Sequence, residues 1–224
     1  MGDGSLDPQG PVAGTMADLW WLMFWLGLAV FVVFAVMLVL ALFRRRGEEP
    51  EARSGVDVDE DDTTGRLARW FLGWGVIGPG VVITVVFVAT VAAMKVLPTT
   101  AAPDDLVIEV VGHQWYYEVT YPDHGVTTTD ELHLPVGRQV ALQLTSADVI
   151  HSFWVPELGG KLDMMPDRVN TLVLQADEPG EHTMRCAEFC GLDHATMMMP
   201  VVAESDADFD AWIADLAGNG SGDG

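Results

Sequence analysis

Two long apolar runs, followed by a change of period, divide this chain. Leu19 to Phe43 is a run of 25 uncharged, mostly apolar residues, and Trp70 to Met94 is a second run of 25. Each exceeds the ~20 residues that a helix needs to cross a bilayer. The core helix of a soluble protein is seldom so long or so apolar. A cleaved signal peptide does not fit the first run, which is too long and has no basic residue before it. The pattern predicts a transmembrane helical hairpin over 19–97, preceded by a flexible Gly-, Pro- and Asp-containing tail over 1–18.

Beyond Pro98 the period shortens to two. Leu106–Val111 and Trp115–Val119 are rich in β-branched and aromatic residues, as strands prefer. Gln139–Thr145 alternates, with Val140, Leu142 and Leu144 on one face. Val149–Val155, Asn170–Gln175, Glu181–Cys186 and Met199–Ala203 continue the series. Pro122-Asp-His-Gly125 and Glu178-Pro-Gly180 punctuate it as turns. About eight short strands in ~100 residues indicate an antiparallel sandwich over 98–224. Ser205-Asp-Ala-Asp208 caps a final amphipathic helix with Phe209, Trp212, Ile213 and Leu216 on one stripe.

Charge orients this arrangement. Arg44, Arg45, Arg46, Arg53, Arg66 and Arg69 occupy the connection between the spans, and residues 1–43 hold no basic residue. The positive-inside bias makes 44–69 a cytoplasmic loop and places the N-terminus and 98–224 outside. The chain carries a net charge of −22. Residues 98–224 hold 22 acidic residues against Arg138, Lys161, Arg168 and Arg185, a formal charge of −18. The acids are scattered, with no dominant block. That spread fits a halophilic surface adapted to a salty medium better than a docking site for a basic partner. It excludes a basic nucleic-acid interface. The sequence also has no phosphate-cradling Gly motif and no Ser/His/Asp arrangement.

The candidate chemistry is concentrated late in the chain. Both cysteines of the protein lie in Cys186-Ala-Glu188-Phe-Cys190-Gly-Leu-Asp-His194-Ala-Thr-Met197. His151, in Val149-Ile-His151-Ser-Phe-Trp, precedes them on a predicted strand. Thiolate and thioether are soft ligands, and imidazole suits copper, zinc or iron. Spacing alone allows a Cys2His2Met copper set, a Cys2His2 zinc site or a disulfide between the cysteines. A mononuclear blue-copper site usually needs only one cysteine. Met198 and Met199 read as packing or interface residues, His113 and His133 as structural, and His124 as an exposed turn residue. His182 lies on a strand near the cysteines without a role in the motif.

The cysteine loop resembles that of subunit 2 of the haem–copper oxidases, whose outer domain carries a binuclear CuA centre. The blocks His151–Pro156, Gly159–Asp163, Pro166–Asn170 and Gly112-His-Gln-Trp115-Tyr-Tyr117 match as well. The order of two spans and then one outer domain matches over residues 18–203. The resemblance implies a cupredoxin-like Greek-key sandwich holding two copper ions. Cys186 and Cys190 would bridge the coppers, and His151 and His194 would each terminate one. Met197 and the backbone carbonyl of Glu188 would add weak axial bonds. The Glu188 carboxylate would help hold magnesium at the seam with subunit 1, and Trp115 would be the entry point for electrons. The haems would belong to subunit 1, and subunit 3 would be a further partner. Cytochrome c or a small blue copper protein would be the donor.

On this reading the chain accepts electrons and passes them to subunit 1 for oxygen reduction coupled to proton pumping, and cannot reduce oxygen alone. Rival readings are the same module in a nitric oxide reductase, a quinol oxidase subunit with a purely structural sandwich, and a non-redox anchored module held by zinc or a disulfide. The intact ligand set disfavours the quinol oxidase reading. One departure stands out. The family often has a glutamate at the start of the second helix, near a proton channel, and Arg69–Pro79 here contains no carboxylate.

Overall fold

A computed structural model of the chain describes residues 4, 6–45, 65, 69–98 and 100–219. The chain forms two compact units, Met1–Ala17 with Lys95–Gly224, and Asp18–Met94.

The second unit contains most of α1 (Pro11–Arg45), a π-helical stretch (Phe71–Ile77) and α2 (Gly78–Met94). Pro11–Phe43 and Leu72–Met94 are long and apolar enough to cross a membrane. No residue of α2 is buried, and Phe31, Phe34 and Phe87 are about two-thirds exposed (68%, 67% and 65%). Such a surface suits a hydrocarbon environment, where a helix satisfies its own backbone. The π-helical stretch runs into Pro79. Proline supplies no N–H and crowds the carbonyl four residues earlier, so the turn before it opens and Gly78 bonds back to Gly73. The predicted loop 44–69 lies outside the described residues, apart from backbone at its ends and Gly65.

Among the described residues of the outer unit, ten strands form two five-stranded sheets. Their bounds are β1 (Leu106–His113), β2 (Tyr116–Tyr121), β3 (Val126–Thr129), β4 (Leu132–Pro135) and β5 (Val140–Ser146). They continue as β6 (His151–Trp154), β7 (Leu162–Met164), β8 (Asn170–Leu174), β9 (Gly180–Cys186) and β10 (Met198–Glu204). One sheet has the order β3-β2-β1-β5-β8, and the other β4-β10-β9-β6-β7. The sandwich is mixed rather than purely antiparallel, because β1 pairs parallel with β5 and β4 parallel with β10. Period-two burial builds the core: Leu106, Ile108 and Val110 from β1, Tyr117, Val119 and Tyr121 from β2, and Met184, Val201 and Ala203 from the facing sheet.

α3 (Asp206–Asn219) closes the chain as predicted, with the Asp208 N–H donating to Ser205 Oγ at 3.3 Å. Phe209 and Ile213 are buried on its inner face, and Trp212 stacks on the His133 ring at 3.8 Å. His133 is pinned between Glu204 (2.6 Å) and Glu131 (3.1 Å), which fits its reading as a structural residue.

The predicted loose tail over 1–18 is corrected for residues 9–17. Helix α1 starts at Pro11, and Val12, Ala13 and Ala17 are buried. The Gln9 N–H donates to the Glu157 carbonyl and the Gln9 carbonyl accepts from the Asp177 N–H, both at 2.8 Å. Gly10 is required here, because a Cβ would lie 2.1 Å from the Gln175 carbonyl oxygen. Glycine and proline, which suggested a loose tail, instead fit a close approach and a helix start.

Candidate metal centre

Strand β9 alternates so that His182, Met184 and Cys186 are buried in turn. Cys186, its last residue, stands opposite Phe153 of β6. The connection to β10 folds back tightly. The Cys186 N–H donates to the Met197 carbonyl (3.1 Å), and the Ala187 N–H to the Ser152 carbonyl (3.0 Å). His194 heads a three-residue 3-10 turn, His194–Thr196, which brings Met197 back beneath the loop. His151 opens β6 on the neighbouring strand. The predicted ligands, separated in sequence, therefore converge at one end of one sheet.

Their donor atoms form one cluster. Cys186 Sγ lies 3.8 Å from Cys190 Sγ, 3.9 Å from His151 Nδ1 and 3.2 Å from the Glu188 carbonyl oxygen. Cys190 Sγ lies 3.6 Å from both His194 Nδ1 and Met197 Sδ. His151, Cys186, Cys190 and Met197 are buried, while His194 is half-buried. The cysteines are free thiols. Their sulfurs are well beyond the ~2.05 Å of a disulfide, yet close enough to share ligation of one small group. Two thiols, two imidazoles, a thioether and a carbonyl gathered around a pair of sulfurs fit copper by chemistry and number.

The pair also has a marked acid–base asymmetry. Burial alone would raise the Cys186 thiol, but hydrogen bonds with His151, with the backbone at Glu188 and Ser152, and with Tyr117 outweigh it and lower its pKa. Burial and then the neighbouring Cys186 push the Cys190 thiol up. The two sulfurs thus differ in how readily they give up a proton, and both must do so to hold a metal.

Residues that the sequence reading did not single out hold this arrangement. Gly112 lies beneath the imidazole of His151, where a Cβ would sit 2.9 Å from His151 Cδ2. Asp148 accepts from His151 Nε2 (2.9 Å), from the Val149 N–H (2.6 Å) and from the Gln114 N–H (2.7 Å). Partial burial would raise the Asp148 carboxyl, but these bonds overcome it and lower its pKa. An ionised carboxylate only accepts, so His151 keeps a proton on Nε2 and turns Nδ1 toward the sulfurs as the nitrogen that would ligate a metal.

Trp115 is half-buried against the core, with Nε1 donating to the Cys190 carbonyl at 3.3 Å. Gln114 Nε2 donates to the same oxygen at 2.7 Å. Gly191 makes room for both side chains: its φ is +126°, and a Cβ there would meet Gln114 Nε2 and Trp115 Cζ2 at 3.0 Å. The neighbouring tyrosines divide as strand geometry requires, Tyr117 buried and Tyr116 exposed.

The other sequence candidates are placed clearly. The Glu188 side chain is exposed. Met199 is core and Met198 is exposed, so neither joins the cluster. His113 stacks on Tyr116 at 4.5 Å, His124 lies against Phe209, and His182 bonds Glu157.

Comparison with known proteins agrees with this picture. Residues 124–206 match the family described as cytochrome c oxidase subunit II, periplasmic domain. Cytochrome c oxidase subunit 2 of Alkalihalophilus pseudofirmus is 34% identical over 95% of this chain and 62% of its own length. The chain thus spans less than two thirds of that relative. Quinol oxidase subunit 2 of Bacillus cereus is 29% identical over 94% of this chain and 72% of its own. The crystal structure of the periplasmic domain of subunit II of cytochrome oxidase from Bradyrhizobium japonicum superposes with a TM-score of 0.51 at 30% identity. That likeness covers 55% of this chain and 99% of the other. Its outer unit is a cupredoxin-like sandwich of the same kind, and the chain belongs to the cytochrome c oxidase subunit II family.

Proposed function

We propose that this chain is the electron-entry subunit of a haem–copper oxidase, taking electrons from an external carrier and delivering them to subunit 1, where oxygen is reduced and protons are pumped. The observation that carries the reading is the convergence of two imidazoles, a thioether and a backbone carbonyl on two cysteine sulfurs 3.8 Å apart. Two coppers bound there would supply one-electron chemistry at a potential tuned by the weaker donors and the surrounding hydrogen bonds. Cys186 and Cys190 would hold both ions, His151 and His194 would each complete one, and Met197 and the Glu188 carbonyl would add weak bonds. The rigid sandwich keeps these donors nearly in place, so little rearrangement accompanies a change of charge. The half-buried Trp115, bonded to the Cys190 carbonyl, offers electrons a short path from the surface.

The likeness to a quinol oxidase subunit extends over nearly the whole chain. A sandwich with only a structural role would have no need of this donor set, and the complete set favours copper. Zinc would leave Met197 idle. The exposed Glu188 carboxylate is available to hold magnesium at the seam with subunit 1. The arginines between the spans favour a cytoplasmic loop and an extracytoplasmic metal domain. Subunit 3 and either cytochrome c or a small blue copper protein complete the proposed partners.

A metal count with an electron paramagnetic resonance spectrum of the full chain tests the reading. Two coppers sharing one unpaired electron are expected, and Cys186→Ser or Cys190→Ser should abolish that signal. One copper per chain, or colourless zinc, would sink it.

A further inference from the structure

We propose that Asp148 is a positioning residue that sets the metal-facing edge of His151 and the Gln114–Trp115 turn together, so that one carboxylate aligns the metal centre with the electron-entry side chain. The inference rests on the dicopper reading above and extends it to a residue outside the ligand motif.

The two oxygens of Asp148 are used differently. Oδ1 accepts from His151 Nε2 at 2.9 Å and from the Val149 N–H at 2.6 Å. Oδ2 accepts from the Gln114 N–H at 2.7 Å. The first pair fixes which imidazole nitrogen faces the sulfurs. The second ties β6's entry loop to the segment between β1 and β2, 34 residues earlier in sequence. Gln114 and Trp115 then both donate to the Cys190 carbonyl, at 2.7 and 3.3 Å. A continuous set of bonds therefore runs from His151 through Asp148 and Gln114 to the cysteine loop, joining three chain segments. The Ser146 hydroxyl receives the Asp148 N–H at 3.2 Å and holds the aspartate's own backbone.

An amide separates the two functions. Asparagine has one accepting oxygen and one donating NH2, whereas the carboxylate accepts on both sides. In Asp148→Asn the oxygen can serve His151 and Val149, but the NH2 then faces the Gln114 N–H, donor against donor. In Asp148→Ala both sides are lost. A charged acceptor on the remote nitrogen also makes a ligating imidazole more basic. Replacing it with a neutral amide should therefore raise the reduction potential of the loaded centre.

The test uses the full chain in detergent. In metal-free protein, nitrogen and proton resonances report the His151 tautomer, the Gln114 amide and the Trp115 indole N–H. Asp148→Asn should leave the His151 tautomer in place while the Gln114 amide exchanges about tenfold faster or more and the Trp115 indole signal moves. Asp148→Ala should in addition mix the His151 tautomers. In copper-loaded protein, Asp148→Asn should keep two coppers and raise the potential. Unchanged Gln114 and Trp115 signals in Asp148→Asn would overturn the inference. So would collapse of signals across the whole domain, which would make Asp148 a general fold determinant. Should the unaltered chain lack two coppers, the dicopper reading fails; the resonances of the metal-free protein still decide the positioning role.

Discussion

The two histidines of the centre are held by different kinds of structure. His151 opens a strand, is fully buried, rests against Gly112 and is clamped through Nε2 by Asp148. His194 heads a three-residue turn, is half-buried, and its ring meets Phe189 at 5.7 Å, a residue itself 75% exposed. The strand side is thus built by the sandwich before any metal arrives. The loop side depends on a few backbone bonds and on the ligands themselves. Segments with few buried contacts open at lower cost than core strands. The metal-free protein should therefore be ordered at His151 and looser at His194, and metal should complete the loop half.

The largest effect is expected where that contrast is attacked from the rigid side. Gly112→Ala puts a Cβ 2.9 Å from a fully buried ring. Overpacking of this kind costs about 1–3 kcal/mol, and the ring that must move is a ligand. Thermal unfolding of the metal-free chain should show the loss, together with weakened copper binding. Gly191→Ala is the counterpart on the loop side. Its φ of +126° makes any side chain strained there, and the nearest neighbours are Gln114 and Trp115. Here the loop can shift, so the metal-free midpoint should fall less while the Trp115 environment changes. Equal loss of midpoint in both variants would erase the distinction between the two sides.

The parts of this fold that were legible in the sequence are those with a repeated or dense signal. Two apolar runs, the alternating β1, β2 and β5, and the stripe of α3 all announce themselves by period. The ligand loop announces itself by chemistry, since both cysteines, a histidine and a methionine share twelve positions. β3, β4 and β7 are only four, four and three residues long, too short for alternation to register. The parallel pairings come from crossovers, which local pattern does not encode. Residues 9–17 looked loose because Gly10 and Pro11 punctuate the chain, yet the same two residues allow close contact with Gln175 and a helix start. Asp148 and Gly112 belong to no spacing rule. Their roles exist only once the segments around 112, 148 and 186 meet at one end of the sandwich.

A smaller effect is expected at Met197. Its thioether approaches Cys190 Sγ at 3.6 Å and is buried. Leucine has nearly the same volume, and such exchanges usually cost less than about 1.5 kcal/mol. Met197→Leu should therefore keep the fold and both coppers and change the reduction potential, because a weak axial ligand tunes more than it holds. Loss of all copper in this variant would move Met197 from the tuning set to the holding set.

The smallest effect on the centre, and the sharpest test of the loop side, is expected at Trp115. The indole meets the cysteine loop through Nε1 to the Cys190 carbonyl, and lies where a Cβ on Gly191 would come within 3.0 Å of it. It coordinates nothing, so its removal should leave copper content and spectrum intact. Electron tunnelling, however, falls steeply with the gap between donor and acceptor, and an aromatic ring between surface and metal shortens that gap. The hypothesis is that Trp115→Ala slows electron entry from a reduced donor in the assembled oxidase while the optical spectrum stays unchanged. A purely packing role has a different signature. Full truncation of a buried aromatic costs about 3–5 kcal/mol, and a half-buried one less, so the midpoint would fall without a selective loss of rate. Trp115→Phe separates the two, since it keeps a π-system and most of the packing but loses the indole bond to Cys190. Donor oxidation that is fast in Trp115→Phe and slow in Trp115→Ala would place the ring on the path. An unchanged rate in a well-folded Trp115→Ala would remove it.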